Sequence, residues 1–157
     1  MNDYRYVDPD HVYTDPETGV LRNRLKIRDP DALMFAEAAA TAKRTNELRA
    51  APIPVTDSRA LFAIHRHLFQ DIYEWAGERR TVEIGKGGKQ FFPTSHFDNA
   101  LKYLNTLLAE YRRTDKDDMT KLADKLADIL DTVNYMHPFR DGNGRTQRPL
   151  LNFEISC

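Results

Sequence analysis

Cysteine is all but absent, with Cys157 the single thiol in 157 residues. That excludes an intramolecular disulfide framework and a cysteine-rich zinc site, and it fits a reducing compartment. Long apolar runs are missing too: no segment approaches a membrane span, and the polar start MNDYRYVDPDHVYTDPETG contains no signal-peptide core. Neither sign of charge is in excess, since Lys plus Arg number 23 against 24 Asp plus Glu, for a formal net charge of -1. Bulk electrostatics therefore cannot recruit nucleic acid or an anionic membrane, and any anion site must be local. The expectation is a soluble, cytoplasmic protein with neither nucleic acid nor membrane as partner.

With 41% hydrophobic content, the chain suits a single domain over residues 1–157. Residues 1–28 carry Pro9, Pro16 and Gly19 among aromatics and charges, and read as an irregular arm with a turn at DPETG that packs on a neighbour. Asp29 before Pro30 is a capping carboxylate followed by a first-turn proline, and ALMFAEAAATAKRTNEL continues the helix until it must stop before Pro52. Asp57 or Ser58 opens a core helix through RALFAIHRHLFQDIYEWAG, with Leu61, Ile64, Leu68, Ile72 and Trp75 at helical spacing and Gly77 as the stop.

Residues 79–93 change period. Val82 and Ile84 alternate with polar residues, GKGGK can turn, and Phe91 and Phe92 precede Pro93, which predicts a short two-stranded hairpin. HFDNALKYLNTLLAEYRR gives another amphipathic helix. MTKLADKLADILDTVNYMH gives the clearest one, with Leu122, Leu126, Ile129, Leu130, Val133 and Met136 on one stripe. The fold class is mainly α with one small hairpin. GKGG also fits the Gly-x-x-Gly loop of KH nucleic-acid modules, but the order of elements and the lack of basic excess speak against it. His65 and His67, two apart on a helix, do not face one another, which favours helix surface or boundary over metal binding.

The stretch HPFRDGNGRTQR, residues 137–148, concentrates the chemistry. Pro138 ends the preceding helix and leaves the His137 imidazole at its lip. DGNG must bend the backbone, with Gly142 and Gly144 tolerating positive φ, and helical pattern resumes from Arg145, so the loop feeds a helix N-terminus that attracts anions. Arg145 and Arg148 sit where the helix dipole disfavours cations, and Arg140 adds a third positive charge nearby. A polyphosphate resolves that conflict. Asp141 is placed to hold magnesium beside the phosphates, and His137 to abstract a proton. Singly, each residue has an ordinary explanation as turn, surface charge or helix-end histidine; together in one register they do not.

This stretch resembles the signature of the Fic family: His137, Phe139, Asp141, Gly142, Asn143, Gly144, Arg145 and Arg148 match every fixed position. LRNRLKIRD, IHRHLFQDIYEWAGERRTVEI and KGGKQF resemble further segments of the Fic core. The resemblance implies a Fic fold, a helical bundle with a β-hairpin flap, and transfer of AMP from ATP to a Ser, Thr or Tyr hydroxyl of a target protein. It implies His137 as general base, Asp141 as the Mg2+ ligand, and Gly142, Asn143 and Gly144 as an anion hole. Arg145 and Arg148 would grip the phosphates, with Lys86 also reaching the nucleotide and Phe139 anchoring the loop. The flap, with Thr81, Val82, Glu83, Ile84, Gly85 and Phe91, would dock the target by strand-like pairing.

Glycine at 144, where the Doc branch carries lysine, points to nucleotidyl rather than phosphoryl transfer. The family's inhibitory glutamate motif has no match here, so any inhibition is expected from a separate antitoxin-like protein contacting Arg148. A toxin-like role, or delivery into a host cell as an effector, follows as an expectation. Few residues follow Arg148, and Pro149 removes a helix bond, which predicts a shortened C-terminal end. The rival expectations are a catalytically weak or silent Fic scaffold and a Fic enzyme transferring another nucleotidyl or phospho group.

Overall fold

In the computed structural model, which describes residues 4–154, the first helix, α1, spans Pro30–Ala50. Its N-cap is Asp29, whose carboxylate accepts the Ala32 N–H at 2.8 Å, and Pro30 occupies the first turn, where its missing N–H costs nothing. It stops before Pro52, as the sequence predicts. Cys157 lies outside the described residues.

The second helix, α2 (Arg59–Phe69), is shorter than expected. Ile72 and Trp75 do recur at helical spacing, but they sit on turns: tertiary bonds replace helical ones, with Arg24 donating its N–H to the Ile72 carbonyl at 2.8 Å and its guanidinium to the Gln70 carbonyl at 3.3 Å, while the Arg44 guanidinium clamps the Asp71 side chain at 2.8 Å through two nitrogens. Gly77 is not the stop of a helix but the point where the chain folds back on α2. Its φ is +80°, and a Cβ there would stand 2.6 Å from Arg66 Cβ.

The arm is more ordered than its composition suggests. Tyr4–Val7 forms β1, which pairs antiparallel with β2 (Glu83–Lys86); β2 turns through Gly87 and Gly88 into β3 (Lys89–Gln90). The expected two-stranded hairpin is thus a three-stranded sheet in the order β1-β2-β3, with Tyr4 opposite Lys86 and Tyr6 opposite Ile84. Thr81 and Val82 precede its ladder rather than joining it. The DPETG turn forms as predicted: Asp15 Oδ1 accepts the Glu17 and Thr18 N–H groups at 2.9 and 3.0 Å.

A 3-10 turn (Thr94–His96) leads into α3 (Phe97–Arg113), then come α4 (Met119–Met136) and α5 (Asn143–Glu154). α3 packs on α4, while α2 packs on both α1 and α5. The core runs through Leu61, Ile64, Leu68 and Phe69 of α2 to Leu104 and Leu108 of α3 and Ile129 and Val133 of α4. The α4 stripe is as read except that Leu126 and Leu130 are only half-buried. Pro149 does not end α5, which continues across it to Glu154. None of the helices among the described residues is long and apolar enough to cross a membrane.

Candidate active site

α4 ends at Met136, and His137 caps it in the left-handed region, with φ 45° and ψ 61°. A non-glycine residue there carries about 1–2 kcal/mol of strain, so something must hold it. Arg80 does so. Its side chain is 1% exposed, and its guanidinium donates to the carbonyls of His137 and Val82 at 2.7 Å and of Phe92 at 2.5 Å. Its own N–H bonds to the Pro138 carbonyl at 2.7 Å. A buried cation satisfied by fixed carbonyls locks the end of α4 to the flap.

Orientation of the imidazole follows from its partners. The Asn134 carbonyl lies 3.1 Å from His137 Nδ1 and can only accept, so Nδ1 carries the proton and Nε2 keeps its lone pair. Phe91 stacks on the ring at 3.9 Å and 14°. Burial first, then the nearby Arg80 and Lys86 charges, lower the His137 pKa, which favours the neutral ring with its lone pair available.

Beyond Pro138, the loop is built from within. Phe139 is buried, and the Asn143 amide ties its backbone at both ends, accepting its N–H at 2.9 Å and donating to its carbonyl at 2.8 Å. Gly142 has φ +78°; Gly144, expected to share that freedom, is instead helical, and α5 starts two residues earlier than read. The first helical bond runs from Thr146 N–H to the Gly142 carbonyl, so the N–H groups of Asn143, Gly144 and Arg145 have no acceptor within the helix.

His65 supports this loop from below and is fully buried, which corrects its reading as helix surface or boundary. Its Nδ1 accepts the Gly77 N–H at 2.8 Å, its Nε2–H donates to the Asp141 carbonyl at 3.0 Å, and its ring stacks on Phe139 at 3.8 Å. Burial brings its pKa down to about 4, consistent with a neutral strut.

These parts enclose a cavity of about 380 Å³ lined by His137, Asp141, Gly142, Asn143, Gly144, Arg145 and Arg148, together with Asn134, Arg140, Tyr4 and Tyr6. Three arginines against one carboxylate make it a receptor for anions, and α5 aims its N-terminus into the same space. Arg140 is only 7% exposed, with its guanidinium 3.3 Å above the Tyr6 ring. Arg145 is ion-paired with Glu37 of α1, a carboxylate that also accepts the Tyr73 hydroxyl. Lys86 is not on this wall; its ammonium lies 4.6 Å over the Tyr4 ring. Asp141 Oδ1 accepts the Gly142 N–H at 2.7 Å. Asp141 is the one carboxylate lining the cavity, a donor of the kind magnesium shares with phosphate oxygens and water, and among the described residues no group of three His, Cys, Asp or Glu stands together.

Every cavity residue of the 137–148 stretch was expected from the sequence, whereas Arg80, Glu37, Asn134, Tyr4 and Tyr6 were not. Most act across a long sequence separation, and of these residues Arg80 alone lies in a segment, IHRHLFQDIYEWAGERRTVEI, that resembles the Fic core. On the flap, Thr81 donates its N–H to the Tyr13 hydroxyl at 3.0 Å, Glu83 accepts from Thr94 at 2.6 and 3.0 Å, and Val82 and Ile84 are buried. Both edges of β2, including Gly85, are already paired, one with β1 and one with β3.

The model of the Fic/DOC family matches residues 55–155. The protein adenylyltransferase VbhT of Bartonella schoenbuchensis is 34% identical over 148 residues, covering 94% of this chain and 31% of that protein. The probable protein adenylyltransferase y4lH of Sinorhizobium fredii is 38% identical over 140 residues, covering 87% of this chain and 70% of that one. The chain thus spans about a third of the first relative. Among solved structures, the N-terminal Fic domain of a Bartonella effector protein from Bartonella sp. AR 15-3 superposes with a TM-score of 0.83 at 26% identity, over 90% of this chain and 70% of that one. BepC of Bartonella tribocorum, solved with bound AMPPNP, gives 0.79 at 26% identity, over 90% and 75%.

Proposed function

The chain belongs to the Fic/DOC family, and from that premise we propose that it is a protein adenylyltransferase, moving AMP from ATP to a hydroxyl side chain of a target protein. The observation that carries this reading is a single cavity that combines a neutral histidine, its Nε2 lone pair free, with a helix N-terminus and three arginines. His137 Nε2 takes the proton as the acceptor oxygen attacks the α-phosphorus. The N–H groups of Asn143 and Gly144 and the guanidinium groups of Arg145 and Arg148 hold the phosphates and stabilise the departing pyrophosphate, joined by the Gly142 N–H once it leaves the Asp141 carboxylate. Arg145 exchanges part of its pairing with Glu37 for phosphate oxygens, and Lys86 reaches the nucleotide from the flap. Phe139 and Asn143 keep the loop from moving.

Asp141 would hold magnesium, which supplies charge neutralisation on the phosphates. The flap residues Thr81 to Gly85 with Phe91 form the docking element, and a target segment that pairs there adds to β1 or takes its place. Inhibition falls to a separate antitoxin-like protein contacting Arg148, which makes the chain toxin-like, and its compartment is the cytoplasm.

Incubation with magnesium, a cell lysate and ATP labelled at either the α- or the γ-phosphate tests the reading. Label on protein from α only, lost in His137→Ala, supports AMP transfer. Label from γ makes it a phosphotransferase, and no label from either leaves a silent scaffold.

A further inference from the structure

The family signature leaves the position between Phe139 and Asp141 open, and an arginine fills it here. Two arginines are buried among the described residues, Arg80 and Arg140, and they are satisfied in opposite ways. Arg80 donates to fixed main-chain carbonyls. Arg140 is more than nine-tenths buried, yet its Nε has no acceptor and, among the described residues, no carboxylate pairs with it. Its neighbour Asp141 turns Oδ1 to the Gly142 N–H instead. The other arginines of the cavity differ again, since Arg145 is paired with Glu37 and Arg148 is open to solvent. A desolvated cation without a counter-charge is costly to hold, and this one lines the cavity.

Tyr6 holds the guanidinium without neutralising it. The charge centre lies 3.3 Å over the ring, and burial raises the Tyr6 pKa, so the phenol stays neutral. A ring covers the face of a guanidinium, whereas the N–H groups lie in its plane and point outward from its edge. The stack therefore fixes the plane and leaves edge donors for a ligand. Tyr6 is fixed in turn by its place on β1, opposite the buried Ile84 of β2.

We propose that Arg140 is a third nucleotide-binding arginine, donating to phosphate oxygens of ATP from the plane that Tyr6 sets. The inference rests on the transferase reading above. Tyr6 is then a positioning residue, and the arm strand becomes part of the nucleotide site. The phosphates supply the counter-charge that the fold withholds, and the forked donor set matches their oxygens.

The test measures equilibrium affinity for ATP and for adenosine in the full chain and in Arg140→Met, Arg140→Lys, Tyr6→Phe and Tyr6→Ala, with urea unfolding and AMP transfer to lysate proteins alongside. Arg140→Met should weaken ATP binding by about 10- to 100-fold, leave adenosine within about twofold, and unfold no earlier than the parent, because the fold gives up an unpaired buried charge. Arg140→Lys keeps the charge without the fork and should restore part of the ATP affinity. Tyr6→Phe keeps the stacked ring and should retain most of it, whereas Tyr6→Ala should fall toward Arg140→Met. ATP affinity within twofold of the parent in Arg140→Met overturns the inference, and so does an equal loss for ATP and adenosine or earlier unfolding, the marks of a structural role. Unchanged ATP affinity with weaker labelling of lysate proteins assigns Arg140 to an acidic group of the target and overturns the inference while the transferase reading stands. A parent that binds ATP through Arg140 but transfers no AMP overturns the transferase reading alone, and a parent that binds no ATP overturns both.

Discussion

Replacing Gly142 with alanine probes how the loop is held against the helix beneath it. At φ +78° an alanine pays about 1–2 kcal/mol relative to glycine for the left-handed backbone. Its Cβ would also stand 2.4 Å from two atoms of the Phe69 ring. That ring cannot step aside, because Phe69 is fully buried, with His65 at 4.6 Å on one side and the Arg145 guanidinium 4.7 Å over it. Overpacking of this kind costs about 1–3 kcal/mol, so Gly142→Ala should destabilise by about 2–5 kcal/mol in urea unfolding and lower Tm by roughly 4–20 °C. Gly144 serves as the control: it is helical, a Cβ there meets nothing within 4 Å, and Gly144→Ala should be neutral or gain up to about 1 kcal/mol. A loss below about 0.5 kcal/mol in Gly142→Ala, or equal losses in the two variants, would refute the reasoning.

Three further outcomes are expected. Asn143→Ala strands the buried N–H and carbonyl of Phe139 and should cost about 2–4 kcal/mol in chemical denaturation; an effect under about 0.5 kcal/mol contradicts the staple. His65, lowered from its ordinary 6.5 to about 4, contributes stability that is full above pH 6.5 and lost as pH falls to about 4. Linkage makes this about 3 kcal/mol, so the stability of His65→Gln should fall less steeply than that of the parent across that window, and parallel curves would exclude the assignment. Arg80→Leu leaves its carbonyl partners without donors and should cost about 3 kcal/mol or more, with target labelling reduced even where the variant is folded. Unchanged stability would remove Arg80 from its role as the clamp.

Much of this architecture is legible in the residues. The Asp29–Pro30 start, the α4 stripe and the cavity-forming run from His137 to Arg148 rest on local capping, periodicity and turn chemistry, which act over a few residues. What escaped the sequence acts over distance. Ile72 and Trp75 keep helical spacing although the helix has ended, because bonds from Arg24 to the Gln70 and Ile72 carbonyls and from the Gly77 N–H to His65 compete with the helical ladder. Arg80 reads as one of two adjacent surface cations until carbonyls 56 and 57 residues away surround it. β1 has no partner within its own segment, so its pairing with β2 and the delivery of Tyr4 to His137 are invisible to any local pattern.

The most direct test of the account separates nucleotide binding from chemistry at His137. ATP affinity and single-turnover AMP transfer are measured for the chain and for His137→Ala, with Arg148→Ala alongside. A general base accounts for roughly 10²–10⁴-fold in rate, so His137→Ala should bind ATP within about twofold of the parent and lose transfer by at least 100-fold. Arg148→Ala should weaken ATP binding itself. Transfer that survives in His137→Ala, or ATP affinity lost together with transfer in that variant, would contradict the assignment of the proton to His137 Nε2.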